Sequence, residues 1–238
     1  VASLTGLPLN TPVICGIHDS NASLFPHILD RSPPFSVVST GTWVICMAMG
    51  GTPVTLDPAR DTLVNVNALG APVPSARFMG GREYDAVLKG HTGTATSADT
   101  ADVATDGIML LPSVQSGSGP FPYRRSQWTT DQRTQGQTEV ALGFYLALMT
   151  AECLTMIGAA GPVIVEGPFA RNTQFIAMLA TATGRPVVAS PAQTGTAVGA
   201  ALLFQPSGKP TGPSAATSVM PDPALATYAA RWRQLVRG

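Results

Sequence analysis

Short apolar runs alternate with longer amphipathic stretches along this chain, and that pattern is typical of a protein built from both strands and helices. Seven runs are too short for helices and rich in apolar or β-branched residues, so each predicts a strand. These runs are 11–17, 35–38, 43–49, 63–68, 107–112, 163–165 and 186–189. Because a tight turn at 40–42 joins the second run to the third, this pair is predicted to form a β-hairpin.

Apolar residues at helical spacing predict the helices. They lie over 21–29, 82–88, 139–157, a segment from Phe175 to a stop at Gly184, 194–204 and 221–236. The stretch 139–157 is apolar almost all round, which predicts a helix buried against a sheet. Residues 92–105 favour a loop, with a short helix as the alternative, and 113–136 is predicted to be a long loop. The alternation of strands and helices indicates an α/β fold.

The composition excludes several classes of partner. The chain has 238 residues with 45% hydrophobic content, and its 14 basic side chains balance 14 acidic ones. That content suffices for a buried core, and the balanced charge argues against nucleic acid or a membrane as a partner. No run approaches the roughly 18 apolar residues that a membrane span needs. Cys15, Cys46 and Cys153 lack a CxxC spacing and lie in apolar runs, so we expect buried thiols in a reducing cytoplasm.

The region from Val13 to Trp43 carries the candidate chemistry. An apolar run ends at Asp19, a helix-like segment follows, and the next strand leads into the small-residue turn Ser39-Thr40-Gly41-Thr42. A helix amino terminus presents free N–H groups and the positive end of the helix dipole, which favours anions. A carboxylate placed beside a phosphate-sized turn indicates phosphoryl-group chemistry.

Four motifs carry a family resemblance. They are GIHDS at 16–20, STGTW at 39–43, FMGG at 78–81 and VEGPFARN at 165–172. In this order they resemble the carboxy-terminal domain of the FGGY family of carbohydrate kinases, nearest the rhamnulokinase and fuculokinase branch. The resemblance implies a ribonuclease H-like, actin-type ATPase domain with a mixed sheet flanked by helices.

The same resemblance implies a domain organisation. Residues 1–238 would form the nucleotide-binding domain of a two-domain sugar kinase whose amino-terminal sugar-binding domain is absent. Within this domain, 1–12 would be the linker that leads in, 205–220 a second linker rich in Pro, Gly and Ser, and 221–236 the terminal helix. The isolated chain is then expected to be inactive.

The site residues follow from the matching motifs. Asp19 resembles the family's catalytic base, and His18 and Asp19 its sugar contacts. The alternatives are that Asp19 only caps a helix, and that His18 only orients Asp19 or packs in the core. The resemblance also implies that the nucleotide is bound by residues of the three turns: Gly41, Thr42, Gly81, Gly167 and Asn172.

One motif departs from the family. Where members commonly carry consecutive glycines, this chain has Glu166-Gly167-Pro168, and proline removes an N–H and fixes φ. The resemblance therefore implies phosphate binding more strongly than adenine recognition. A P-loop is excluded because no GxxxxGK[ST] occurs.

The resemblance implies ATP-dependent phosphorylation of a hydroxyl of a small sugar, a ketose or deoxy-ketose, with Mg²⁺ as cofactor. His27 and His91 lack acidic or cysteine neighbours at ligand spacing, so Mg²⁺ is expected to arrive with ATP and no metal site is predicted within the chain. The expected partners are the sugar, ATP and the chain's own amino-terminal domain, and a homodimer is left open. The alternative is a catalytically silent relative that senses a nucleotide or a sugar.

Overall fold

A mixed seven-stranded sheet forms the centre of the protein. The structure, a computed structural model, describes residues 2–91, 93, 95–190, 195–204 and 218–238. Its strands are β1 Phe35–Thr40, β2 Val44–Met49, β3 Thr62–Val66, β4 Pro72–Phe78, β7 Val163–Glu166, β8 Val187–Ala189 and β9 Ser218–Val219. Across the sheet they have the order β3-β4-β2-β1-β7-β8-β9. The strands β5 Leu110–Leu111 and β6 Gln127–Trp128 form a separate pair.

The strand directions place the turns after β1 and β7 next to each other. β1 and β2 form the antiparallel hairpin, as predicted, with Thr40 opposite Val44. β7 lies parallel to β1, with Ser39 opposite Glu166, and β8 lies parallel to β7. Because β1 and β7 are parallel neighbours, both end at the same edge of the sheet. The turns after these two strands therefore lie side by side.

Helices cover both faces of the sheet. They are α1 Ala2–Thr5, α2 Asp19–Asp30, α3 Gly80–Leu88, α4 Ser97–Asp106, α5 Gln135–Met156, α6 Thr173–Thr183, α7 Gly195–Leu202 and α8 Pro223–Arg237, with 3-10 turns at Pro58–Arg60 and Pro168–Arg171. One core cluster joins α5, α6 and α8 to one face. On the other face, Leu24 of α2 belongs to a smaller cluster with Phe35, Val37 and Ile164.

The helix α5 is the central element of the larger cluster. It begins with a capping box between Thr134 and Gln137, and sixteen of its residues are buried, which explains its apolar composition. Its length and composition would suit a membrane span, but 83% of its most apolar 18-residue window is buried inside the protein. α5 is thus the core helix that the sequence predicted.

The predicted strand over 11–17 is wrong. The segment forms no strand, and Val13 is 83% exposed while Ile14 is 48% exposed. Its apolar run satisfies the local pattern, but a strand also needs a neighbouring strand for its hydrogen bonds, and none of the described strands pairs with it. For the same reason the expectation that Cys15 is buried is wrong: this thiol is exposed, whereas Cys46 and Cys153 are buried.

Other differences concern element length. Residues 107–112 supply only the two-residue β5, and the loop 113–136 contains β6 and the start of α5. For 92–105 the structure has the alternative prediction, a short helix, which is α4. Residues 92 and 94 lie outside the described part of the chain. Of the predicted linker 205–220, residues 205–217 lie outside the described residues, and Ser218 and Val219 form β9.

Sequence reasoning also missed most of β4. Pro72 and Pro74 lack an N–H, which argues against an internal strand. β4 accommodates them because β2 pairs only with the segment from Ser75 to Phe78, whereas the proline-containing half pairs with β3 alone.

Candidate functional site

Three turns meet at the edge of the sheet where β1 and β7 end. A Cβ atom added at Gly81 would lie 2.2 Å from the carbonyl oxygen of Gly41 and 3.0 Å from the α carbon of Thr42. A Cβ at Gly167 would lie 2.0 Å from the carbonyl oxygen of Thr40. The structure therefore brings the predicted residues Gly41, Thr42, Gly81 and Gly167 together.

The hydroxyl of Thr40 joins two of these turns. Its Oγ1 donates to the main-chain oxygen of Glu166 at 2.5 Å and accepts from the main-chain N–H of Phe169 at 3.1 Å. Thr40 is 6% exposed, so these bonds are shielded from water. The turn after β1 and the turn after β7 are thereby held in fixed relation.

Gly41 and Thr42 are the exposed part of this arrangement. The N–H of Gly41 donates to the carbonyl of Trp43 at 2.9 Å, which closes the turn. A Cβ added at Gly41 would meet only the Trp43 carbonyl oxygen, at 3.9 Å, which is an ordinary contact. Packing inside the protein therefore does not require glycine at this position, and a ligand that approaches the main chain would explain it.

Gly81, Gly167 and Asn172 have reasons inside the fold. Gly81 and Gly167 would clash with main-chain oxygens if they carried a side chain, and Gly167 has a φ of 83°. Asn172 is the N-cap of α6, where its Oδ1 accepts from the Phe175 N–H at 2.8 Å. Pro168 occupies the start of the 3-10 turn, where its missing N–H costs nothing. Gly81 and Gly167 thus lie against the turn after β1, whereas the contact shown for Asn172 is its capping of α6.

Asp19 is the first residue of α2, and its side chain is 73% exposed. Its Oδ1 accepts from the Ser20 N–H at 2.7 Å and lies 2.8 Å from Nδ1 of His18. His18, not Asp19, is the N-cap of α2, and Nδ1 of His18 also lies 2.8 Å from the hydroxyl of Ser20. Within the described part of the chain, Oδ2 of Asp19 has no hydrogen-bond partner. One carboxylate oxygen is thus oriented, and the other is open to a ligand.

A buried carboxylate links α2 to the turns. Glu166 ends β7, and its side chain is 6% exposed. The hydroxyl of Ser23 donates to its Oε2, and Nε2 of His27 lies 2.7 Å from its Oε1. Glu166 thereby joins β7 to α2, the helix whose first residue is Asp19.

A second buried carboxylate, Glu83, belongs to the same helix as Gly81. Glu83 in the first turn of α3 is 1% exposed, and it accepts from the Gln115 N–H at 3.0 Å and from the Tyr145 hydroxyl at 2.9 Å. Burial raises the pKa of Glu83 to about 7, against the lowering effect of these two bonds. Glu83 therefore ties the glycine turn of α3 to the loop after β5 and to α5.

Sequence reasoning missed the contacts that Thr40, Ser23 and His27 make with Glu166. His27 and Glu166 are 139 residues apart in the chain, so no local spacing could reveal the pair. Glu166 was noticed only as a departure from consecutive glycines. Among the described residues, no group of three or more His, Cys, Asp or Glu side chains is placed to hold a metal ion.

A sequence family matches most of the chain. The family described as carbohydrate kinase FGGY, C-terminal domain, matches residues 32–212. That match includes three of the four motifs, at 39–43, 78–81 and 165–172. No curated protein sequence matches the chain.

Solved structures of kinases resemble the whole chain. A carbohydrate kinase from Novosphingobium aromaticivorans matches with 36% identity and a TM-score of 0.85, over 99% of this chain and 54% of that one. A xylulose kinase from Rhodospirillum rubrum matches with 23% identity and a TM-score of 0.75, over 99% and 52%. A glycerol kinase from Plasmodium falciparum, solved with ADP, matches with 16% identity and a TM-score of 0.67, over 93% and 50%. The chain spans about half the length of these proteins, and it has their ribonuclease H-like, actin-type fold.

Proposed function

This chain belongs to the FGGY family of carbohydrate kinases, and on that premise we propose that it forms the nucleotide-binding half of an enzyme that transfers the γ-phosphate of ATP to a hydroxyl of a small sugar. The observation that supports this most is the exposed Gly41-Thr42 turn, against which Gly81 packs. Its glycine is not required by internal packing. A phosphate-binding turn and a carboxylate are the two parts that such a transfer needs on this side of the cleft.

Asp19 is the base in this proposal. Its Oδ1 is held by the Ser20 N–H and faces His18, so the carboxylate has a fixed orientation. Its Oδ2 then accepts the proton of the attacking sugar hydroxyl. His18 orients Asp19 by its contact with Oδ1, and its exposed ring is also available to a sugar hydroxyl.

The turns bind the nucleotide in this proposal. Gly41 lets the phosphates approach the main chain, and the exposed hydroxyl of Thr42 donates to a phosphate oxygen. Gly81 and Gly167 keep the neighbouring turns close enough to form one surface. Asn172 fixes the start of α6 beside the place we assign to the adenosine.

The donor set of this chain suits ATP better than a bare metal ion. The turns offer N–H and hydroxyl donors, which bind phosphate oxygens, whereas three clustered oxygen ligands are not found among the described residues. Mg²⁺ bound to ATP neutralises charge on the phosphates. We propose that the phosphates of ATP and carboxylates outside this chain hold that ion.

We propose further that this half works only with an amino-terminal sugar-binding domain, since the chain spans 54% of the carbohydrate kinase that it matches at 36% identity. The two-domain protein below means this chain preceded by that domain. Its substrate in our proposal is a ketose or deoxy-ketose, as the motif resemblance to the rhamnulokinase and fuculokinase branch implies. We place the enzyme in the cytoplasm.

A catalytically silent relative that senses a nucleotide or a sugar is the second candidate. Pro168 in the turn after β7 favours it, because that turn offers one N–H fewer than a run of glycines. The exposed carboxylate of Asp19 favours the enzyme, since a sensor has no need of a base.

A screen of sugars tests the proposal. The two-domain protein is incubated with Mg²⁺–ATP and a panel of ketoses, deoxy-ketoses, aldoses and polyols, and ADP release is followed by a coupled assay. We expect sugar-dependent ADP release with one or a few ketoses and none with the isolated chain. ATP binding without ADP release for any sugar would favour the silent relative, and substantial activity of the isolated chain would contradict the two-domain proposal.

A further inference from the structure

Glu166 is a buried carboxylate that the proposed reaction does not use. Its side chain is 6% exposed, so it cannot contact a sugar or a phosphate directly. A buried carboxylate is costly unless it is hydrogen-bonded, and here both oxygens are engaged, Oε2 by the Ser23 hydroxyl and Oε1 by Nε2 of His27. The α carbon of Gly195 also approaches, since a Cβ there would lie 2.5 Å from Oε2. The amino-terminal end of α7 thus packs against this carboxylate.

The main chain of Glu166 is joined to the nucleotide side of the site. Its carbonyl oxygen accepts from Oγ1 of Thr40, the last residue of β1 before the Gly41-Thr42 turn. The next residue, Gly167, lies directly against the carbonyl of Thr40. The main chain of Glu166 is therefore fixed against the turns that we assign to the phosphates.

The side chain of Glu166 is joined to the helix that carries Asp19. Ser23 and His27 are four residues apart in α2, so they lie on one face of the helix, about 6 Å apart along its axis. One contact would fix a distance only, but two contacts one turn apart also fix the rotation of the helix about its axis. The direction in which Asp19 points is set by that rotation.

We propose that Glu166 is a positioning residue that sets the place and direction of Asp19 relative to the phosphate-binding turn, through Ser23 and His27. This inference rests on the proposed function. Transfer needs the attacking hydroxyl in line with the γ-phosphorus and the leaving oxygen, with the base at that hydroxyl, and a misplacement of about 1 Å can cost about 10²-fold in rate. It also gives a reason for the acidic residue that precedes Gly167 in this chain, where consecutive glycines are common in the family.

The test alters the contacts on α2 and leaves the turns intact. In the two-domain protein, His27→Leu removes the ring nitrogen at similar bulk, and Ser23→Ala removes the hydroxyl with little change of volume. His27→Gln keeps a nitrogen donor for Glu166, and Ser23→Thr keeps the hydroxyl. Thr150→Ala is the matched control, because it removes a buried hydroxyl of α5 that bonds within its own helix. Each variant is measured for kcat, KM for ATP, Kd for a non-hydrolysable ATP analogue, and melting temperature.

We expect kcat to fall by about 10-fold to 10²-fold in His27→Leu and by a smaller factor in Ser23→Ala. The Kd for the ATP analogue should stay within about threefold, and His27→Gln and Ser23→Thr should recover most of kcat. Thr150→Ala should lower the melting temperature and leave kcat unchanged.

Two results would overturn the inference alone, given an active wild-type protein. One is unchanged kcat in folded Ser23→Ala and His27→Leu, and the other is a loss of nucleotide affinity that accounts for the whole loss of activity. If His27→Leu does not fold, Ser23→Ala and its rescue by Ser23→Thr decide the question. A wild-type two-domain protein that transfers phosphate to no sugar would instead overturn the proposed function, and this inference with it.

Discussion

Gly41 and Gly81 lie against each other, yet the structure gives different reasons for the two glycines. Gly81 needs to be glycine because a side chain would run into the main chain at Gly41, 2.2 Å from its carbonyl oxygen. A Cβ at Gly41 would make only an ordinary contact, 3.9 Å from the Trp43 carbonyl oxygen, so packing among the described residues does not require glycine there. The fold therefore requires glycine at position 81, and the proposed phosphate contact gives the reason for glycine at position 41.

Alanine substitutions at these two glycines should affect different properties, stability at Gly81 and nucleotide binding at Gly41. Gly81→Ala should lower the free energy of unfolding by about 1 to 3 kcal/mol, because the neighbouring main chain must move. Gly41→Ala should change it by less than about 0.5 kcal/mol, yet weaken binding of an ATP analogue by about tenfold, since the methyl group blocks the approach of a phosphate. Urea unfolding and calorimetric titration measure the two quantities. Full nucleotide affinity in Gly41→Ala would remove this turn from the proposed phosphate site.

Glu83 predicts a pH dependence of stability. Its pKa is about 7 in the folded protein against an ordinary value of 4.5. Below pH 4.5 the carboxyl is protonated in both states and its contribution to stability is fully present. As the pH rises towards 7, the unfolded chain releases its proton first, so the stability contributed by Glu83 is lost, by an amount on the order of 3 kcal/mol.

Glu83→Gln should therefore flatten the stability profile of the isolated chain between pH 4.5 and 7. Urea unfolding at a series of pH values measures this slope. The control is Asp85→Asn, which removes an exposed carboxylate of the same helix and should keep the wild-type slope because Glu83 is still present. An unchanged slope in Glu83→Gln would mean that other groups cause the pH dependence.

At the scale of elements, α2 and α7 approach each other unusually closely. Pro26 lies inside α2 and has no N–H, so it cannot donate to the carbonyl of Ala22 one turn earlier. Gly199 of α7 packs at that carbonyl, and a Cβ on Gly199 would lie 1.7 Å from its oxygen. The proline and the glycine are thus two parts of one helix contact.

Gly199→Ala should destabilise the protein by about 1 to 3 kcal/mol through overpacking against the Ala22 main chain. The direction is informative because alanine favours a helix over glycine by about 1 kcal/mol when nothing else changes. Gly16→Ala, in an exposed segment with open space around it, is the control and should be close to neutral. If thermal or urea unfolding showed Gly199→Ala to be as stable as the wild type, the close contact of α2 with α7 would be wrong.

The elements also show what the sequence could and could not predict. Patterns with a local cause were predicted correctly: the β1–β2 hairpin, the buried helix α5, and the stop of α6 at Gly184. The predictions failed where the cause lies elsewhere in the chain. The run 11–17 has the composition of a strand and no partner strand, and β4 contains two prolines that are tolerated only because β2 does not pair with that half.

The site was predictable to the same extent. Motifs located the three turns and Asp19, because each is a short contiguous pattern. The contacts among them were not predictable, since Thr40, Glu166, Ser23 and His27 meet only after β1 and β7 have paired and α2 has packed on the sheet. From the sequence alone, Glu166 is only a departure from a run of glycines. In the structure its carboxylate has two hydrogen-bond partners, Ser23 and His27.

At the scale of the whole molecule, the segment before α2 leaves apolar side chains uncovered. Leu9 is 95% exposed and Val13 is 83% exposed, next to the end of α2 that carries Asp19. Large apolar side chains exposed together indicate a surface that contacts a partner. The amino-terminal domain of the two-domain protein is the partner that our proposal provides.

The isolated chain should therefore bind a hydrophobic dye more strongly than the two-domain protein does. Leu9→Ser combined with Val13→Ser should lower the dye fluorescence of the isolated chain and leave its melting temperature nearly unchanged, because both side chains are exposed in it. Equal dye binding by the isolated chain and the two-domain protein would argue that the segment has no partner in that domain.

The central claim is that Asp19 is the base of a sugar kinase, and one substitution tests it most directly. In the two-domain protein, Asp19→Asn keeps the size of the side chain and removes its ability to accept a proton. We expect sugar-dependent ADP release to fall by about 10²-fold to 10⁴-fold, as is typical for the loss of a general base, while the Kd for an ATP analogue stays within about threefold. Asp30→Asn makes the same chemical change at the other end of α2 and should leave turnover unchanged. Near-normal ADP release in Asp19→Asn would contradict the claim, because phosphate transfer would then proceed without this carboxylate.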